Sequence, residues 1–187
     1  MVMEVREAVL EAAIKAFNQK GLKFTMDDIA KELSMSKKTI YTIFKDKEEL
    51  SLAAVDYLFD AAKEGEERIL RDMSLGTVDK LRAVLTVMPD GYKDVNYENL
   101  YQLRDKYPNI YRHVAHRLET GWESTIELIE RGIKEGSIRQ VNISIVKMML
   151  EASWEQFYNR DVLLKNKITY QDALNEVVDI IMKGIEK

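Results

Sequence analysis

The stretch MDDIAKELSMSKKTIYTIFKDKEEL, residues 26–50, decides how this chain is read. It holds two short segments of helical apolar spacing with a tight polar break between them. Ile29, Ala30 and Leu33 give the first segment a single apolar face, and Ile40 and Phe44, flanked by Ile43, do the same for the second. Thr25 stands where its hydroxyl can cap the first segment, and Asp28, three residues on, completes a capping-box pattern. Ser36 caps the second segment. Asp46 caps a third, with Glu49 three residues later. Such residues cap helices in any helical protein, so contact with a partner would be a second role for them.

Working outward, Val5, Val9, Ala12, Ala13, Ala16 and Phe17 mark a first helix over about 3–20, stopped by Gly21. The helix capped by Asp46 runs to about 72. Gly65 falls inside it, as a kink or as a tolerated glycine. Breaks at SLGT, PDGY and YPN divide the next region into helices over about 77–88, 94–106 and 109–135. Asn142 caps one over 143–164, and Thr169 with Asp172 starts one over 170–186. The expectation is an all-α chain of nine helices. Its domains are an N-terminal three-helix, helix-turn-helix head, residues 1–46, and a helical body, residues 47–187. With 8 Gly and 2 Pro in 187 residues, few breakers interrupt the helices.

Composition narrows the function. The absence of cysteine excludes disulfides, cysteine zinc sites and thiol catalysis. No apolar run approaches the ~20 residues of a membrane span, and no signal segment opens the chain, so a cytoplasmic protein is expected. The net charge is −4, but it is uneven. Residues 1–50 carry equal numbers of acids and bases. Within 36–47, Lys37, Lys38, Lys45 and Lys47 face one acid, Asp46. On its own such a cluster reads as a solvated face, and Tyr41 as a packed core residue.

Two short helices joined by a turn can place the second in a DNA major groove, with its first residues at base edges. Lys37, Lys38 and Thr39 would then occupy the first exposed turn. Lysine can donate to guanine O6 and N7 or to phosphate. Residue by residue, FTMDDIAKELSMSKKTIYTIFKDKEEL resembles the N-terminal domain of the tetracycline-repressor (TetR) family of bacterial transcription regulators. The matching residues are Thr25, Ile29, Ala30, Ser36, Thr39, Ile40, Tyr41, Phe44, Lys47, Glu48 and Leu50. The resemblance implies a DNA face made by Thr25, Ser36, Lys37, Lys38, Thr39, Tyr41, Thr42, Lys45 and Lys47. Two positions depart from the family pattern. Ser34 stands where a turn glycine is usual, at a cost if the backbone there is left-handed. Lys38 stands where glycine is frequent and adds a charge to the DNA surface.

The resemblance further implies a homodimer on a near-palindromic double-stranded operator, acting as a repressor released by a small-molecule effector. No cofactor is implied. The last two helices carry apolar residues on more than one stripe. A surface helix needs one stripe, so the surplus seeks a partner: a second chain, or a fully buried pair within one core. Met149, Ala152, Leu174, Val177, Val178 and Ile181 are the expected dimer residues. Tyr97, Tyr101, Tyr111, His113, Trp122, Trp154, Phe157 and Tyr158 are candidate walls of an effector pocket, although aromatic residues at helical spacing are more often ordinary core. Ligand is expected to move the long fourth helix, with Gly65 as a hinge. One competing reading is a DNA-binding protein of the same fold with no small ligand. Another is a metal-dependent helical-bundle enzyme built on His113, His116 and Glu119. Against the second, the chain shows no second Glu-x-x-His motif, Gly-rich phosphate loop or nucleophile–base pair.

Overall fold

The computed structural model describes residues 2–88 and 102–187, except for the side chains of residues 2, 3, 105, 158 and 159. The described residues form an all-helical architecture with one isolated antiparallel bridge, Ile138 to Glu186. They fall into two compact units, one from Met1–Asp60 with Asp90–Val114, the other from Ala61–Pro89 with Ala115–Lys187.

The first unit begins with α1 (Val2–Lys20), a 3-10 turn (Gly21–Lys23), α2 (Met26–Glu32) and α3 (Lys37–Ile43). It also takes the start of α4 (Lys47–Arg71), α6 (Leu103–Lys106) and the first part of α7 (Pro108–Glu119). Val9 and Leu10 of α1, Ile29 of α2, Ile40 of α3, Phe44 and Leu50 of α4 are all but inaccessible to solvent and form one apolar cluster. Burying each such side chain stabilises the unit by about 1.5–3 kcal/mol before entropy is counted. The expected caps are all formed. Thr25 and Asp28 exchange both bonds of a capping box, and Ser36 Oγ accepts from Thr39 N at 3.1 Å.

The turn between α2 and α3 closes in the left-handed conformation. Met35 N donates to Ala30 O at 2.8 Å and Ser34 N donates to Lys31 O at 3.2 Å, the paired bonds of a Schellman stop, with Ser34 at φ 52°. Serine there bears the Cβ strain that glycine avoids. Ser34→Gly is therefore expected to stabilise the head by up to ~1 kcal/mol, with glycine's larger unfolded-state entropy offsetting part of the relief. Urea unfolding of both proteins checks this. A lower midpoint for the glycine variant would mean that the serine side chain contributes more than its strain costs.

The second unit contains the rest of α4 and α7, together with α5 (Thr77–Thr86), α8 (Glu123–Glu135), α9 (Ile143–Asn159), α10 (Val162–Asn166) and α11 (Tyr170–Ile185). α5 packs on α8 and α11, and α9 packs on α11. Leu81, Leu128, Ile129, Leu150 and Met182 lie at the centre of this core. Arg82 of α5 is clamped to Asp179 and Glu186, and the neighbouring Lys183, together with Arg82, holds the Asp179 carboxyl below its ordinary range.

Helix boundaries differ from expectation in three places. The helix expected over 109–135 is two, because Gly121 at φ 80° breaks it between α7 and α8. The helix expected over 143–164 ends at Asn159, and a separate turn of helix follows. Of the helix expected over 94–106, residues 102–106 lie within the described residues, and Leu103–Lys106 of these are helical. α4 shows no kink at Gly65. The glycine sits buried inside an unbroken α4, where an added Cβ would come within 2.8 Å of Val87 Cγ2, so glycine serves a close approach.

Candidate nucleic-acid interface

α3 shows one face to its own core and the other to solvent. Ile40 is fully buried, and its neighbour Tyr41 is 43 % exposed. The flanking positions Ser36, Lys37, Lys38, Thr39, Thr42 and Lys45 are all exposed, as is Thr25 ahead of α2. The sequence left Tyr41 open between core and surface. The structure places it at the surface, because Ile40 and Phe44, four apart, already fill the inward stripe of so short a helix.

These side chains are not equally available. The Ser36 hydroxyl is shared with Thr39 Oγ1 at 2.8 Å, and Thr42 Oγ1 donates to Thr39 O at 2.6 Å. Their hydroxyls hold α3 together, leaving the methyl groups of Thr39 and Thr42 as their further contacting surface. Lys37 is paired with Asp27 of α2 at 3.0 Å, and that carboxylate, as hydrogen-bond acceptor and as charge, raises the Lys37 pKa. Among the described residues, Lys38, Tyr41 and Lys45 have no side-chain hydrogen bond or ion pair.

Lys47 is placed differently from the expectation. Its ammonium donates to Leu22 O at 2.6 Å and lies 4.3 Å from the Phe24 ring centre and 5.4 Å from that of Tyr107. The side chain is half-buried and occupied within its own unit, fastening the start of α4 to the 3-10 turn. Two further anchors were missed by sequence reasoning. Arg6 lies over the Phe44 ring, and Lys20 pairs with Asp28 at 2.6 Å. No spacing rule links these residues, because each pair is brought together by packing between elements.

Lys20, followed by the Thr25 backbone N–H and hydroxyl, holds the Asp28 carboxyl down to about 2. Since the folded value lies below the ordinary 3.8, the resulting stability is present above that pH and is lost as pH falls from 3.8 towards 2. Thermal unfolding followed by circular dichroism should show the loss over this window, with a shallower acid limb for Asp28→Asn. Identical limbs would remove Asp28 from the account.

The other expected sites are only partly assembled. Tyr97 and Tyr101 lie outside the described residues, as does the side chain of Tyr158. Tyr111 and His113 belong to the first unit, and Trp122, Trp154 and Phe157 to the second. Within the second unit, Trp122 and Trp154 stack at 4.8 Å, and Phe157 meets Tyr170 edge-on at 5.6 Å. Burial pushes the Tyr170 hydroxyl up to about 12, so it stays protonated at neutral pH. Trp122 donates to Leu118 O, while Trp154 Nε1 is buried with no hydrogen-bond partner among the described residues. His113 bonds Asp56 at 2.8 Å, and no three metal-ligating side chains gather among the described residues.

The expected dimer residues divide in two. Leu174, Val178 and Ile181 are buried in this chain's own core, and Val177 is partly buried against it. Met149 and Ala152 face outward. With Ile145 and Met148 they form an exposed stripe at i, i+3, i+4 and i+7 along α9, Met148 being 55 % exposed. Ile180 of α11, 60 % exposed, is also apolar and outward. The reason is geometric: α9 has apolar residues on two faces, and only one of them meets α11.

A helix-turn-helix whose second helix presents a basic, aromatic outer face, on an all-helical chain, defines a DNA-binding regulator of transcription. Residues 9–54 match the family model of bacterial regulatory proteins, tetR family. The uncharacterized HTH-type transcriptional regulator YvaF of Bacillus subtilis (strain 168) is 27 % identical over 177 residues, covering 95 % of this chain and 93 % of YvaF. A transcriptional regulator from Cytophaga hutchinsonii has the same fold, with a TM-score of 0.73 at 19 % identity over 97 % of this chain and 98 % of its own. So does FadR from Bacillus subtilis, solved in complex with stearoyl-CoA, with a TM-score of 0.66 at 18 % identity over 96 % of this chain and 99 % of its own. Among the described residues no helix is long and apolar enough to cross a membrane.

Proposed function

We propose that the chain is a cytoplasmic, ligand-responsive repressor that binds a near-palindromic operator as a homodimer. The functional division is a DNA-reading head, residues 1–46, and an effector-binding and dimerising body, residues 47–187. The observation that carries this reading is the free outer face of α3. Lys38 and Tyr41 are exposed neighbours with no side-chain hydrogen bond or ion pair among the described residues, on a helix whose other side is locked into the head core. Lys38 reads a base edge or holds a phosphate, and the Tyr41 phenol does the same one helical step on. Lys45 holds the DNA backbone, Thr25 and Ser36 fix the helix starts that face it, and the methyl groups of Thr39 and Thr42 make apolar contacts. Lys47 acts indirectly, by fixing the start of α4.

The exposed stripe of Ile145, Met148, Met149 and Ala152 on α9, with Ile180, is the dimer surface of this proposal. A two-fold pair would set the recognition helices about 34–36 Å apart, one turn of DNA. The effector is a largely apolar molecule carrying a hydrogen-bond acceptor. The aromatic cluster of Trp122, Trp154, Phe157 and Tyr170 supports this, because the Trp154 N–H has no acceptor among the described residues. Such a ligand regulates only by binding one state of the dimer better than the other.

Selection of binding sites from random double-stranded DNA tests the reading, with sedimentation of the free protein alongside. An enriched near-palindrome and a two-chain species are expected. A monomer that enriches no sequence would refute it.

A further inference from the structure

α2 brings a carboxylate onto the same exposed surface as the α3 lysines. Asp27 is half exposed, and its Oδ1 lies 3.0 Å from Lys37 Nζ, whose side chain is equally exposed. The neighbouring Asp28 is already engaged by Thr25 and Lys20, so Asp27 is the α2 acid that meets the basic face. Lys37 and Lys38 are thus adjacent in sequence but different in charge state as seen by a polyanion. One is neutralised locally, and the other is not.

We propose that Asp27 is a specificity-determining residue of the DNA face, which acts by withholding Lys37 from phosphate. This rests on the DNA-binding reading given above. A lysine that reaches a phosphate while its carboxylate partner stays beside it brings no net charge and releases about one counterion fewer than a free lysine. Non-specific binding is made almost wholly of such contacts, so Asp27 weakens it directly. Sequence-specific binding depends less on net charge and more on directed hydrogen bonds to base edges, which a lysine held in place by a carboxylate can still donate. The pair is exposed, and exposed pairs are weak enough to be exchanged once a better acceptor is in place. Asp27 thereby lowers affinity for random DNA more than affinity for the operator.

The test measures binding to a random duplex and to the selected operator as a function of salt, for wild type, Asp27→Asn, Lys37→Gln and the double variant. Wild-type binding to its operator checks the parent reading independently, and its absence would overturn both. If wild type binds, Asp27→Asn is expected to bind random DNA about 5- to 10-fold more tightly at 0.1 M salt, with the salt slope steeper by about 0.9. Operator affinity should rise by less, so the ratio of specific to non-specific binding falls. In the Lys37→Gln background the Asp27 substitution should change neither quantity. An unchanged slope for Asp27→Asn would overturn the proposal. So would a steeper slope that persists without Lys37, since Asp27 would then be repelling phosphate by itself. Equal melting temperatures across the four proteins are required, and Asp27→Ser serves in place of Asp27→Asn if the latter fails to fold.

Discussion

Replacing Lys38 and Tyr41 together by alanine is expected to lower operator affinity by about 30-fold or more and to leave the fold unchanged. Each directed contact to a base edge contributes about 1–3 kcal/mol of discrimination, so losing two removes roughly 2–6 kcal/mol. The fold should survive because neither side chain is spent inside it. Both are exposed, and neither takes part in the cap made by Ser36 and Thr39. Lys38 also carries an unneutralised charge, so its loss should reduce the salt slope by about one, whereas loss of the paired Lys37 should change it little. Fluorescence anisotropy with a labelled operator duplex reads both quantities, and a melting curve reads the fold. Operator binding within threefold of wild type, in a variant that melts normally, would move the DNA face elsewhere on the head.

Phe44→Ala should have the largest effect on stability, and for the opposite reason. Phe44 is 1 % exposed, closes the C-terminal end of α3 and lies under the Arg6 guanidinium at 5.0 Å from its ring centre. Truncating a buried phenylalanine costs about 3–5 kcal/mol, from the lost transfer free energy and the cavity left behind. A domain of ordinary stability has about 5–15 kcal/mol in total. The head should therefore melt at least ~12 °C lower, taking DNA binding with it. The buried aromatic cluster of the second unit should keep its near-ultraviolet circular dichroism at temperatures where the head has unfolded. A shift below ~4 °C would mean that the space under Arg6 is refilled at little cost.

These two variants separate what was legible in the sequence from what was not. The head was legible almost residue by residue. Its caps at Thr25 and Ser36, its core positions Ile29, Ile40 and Phe44, and the stop at Gly21 all depend on neighbours within a turn or two. Local periodicity and capping chemistry act at that range. The all-α class followed in the same way, from apolar spacing and the scarcity of glycine and proline. The break at Gly121 was missed because the pattern on either side continues in phase, and only the backbone shows the left-handed residue.

The state of each charged side chain was decided by tertiary structure. Lys37 and Lys47 look alike in a string of lysines, yet one meets Asp27 across the turn and the other is drawn to Leu22 O and Phe24. Ser34 could have closed the turn in more than one way until the bonds from Met35 to Ala30 and from Ser34 to Lys31 selected the left-handed one. The surplus apolar positions of the last helices could not be divided by pattern between core and surface. Packing of α9 and α11 buried Leu174, Val178 and Ile181 and left Met148, Met149 and Ile180 outside. By itself, the sequence determined which residues form helices and which faces are apolar, because both depend on contacts a few residues apart. Which apolar face finds a partner within the chain, and which lysine keeps its charge free for DNA, depends on residues far apart in sequence, and only the folded chain decides it.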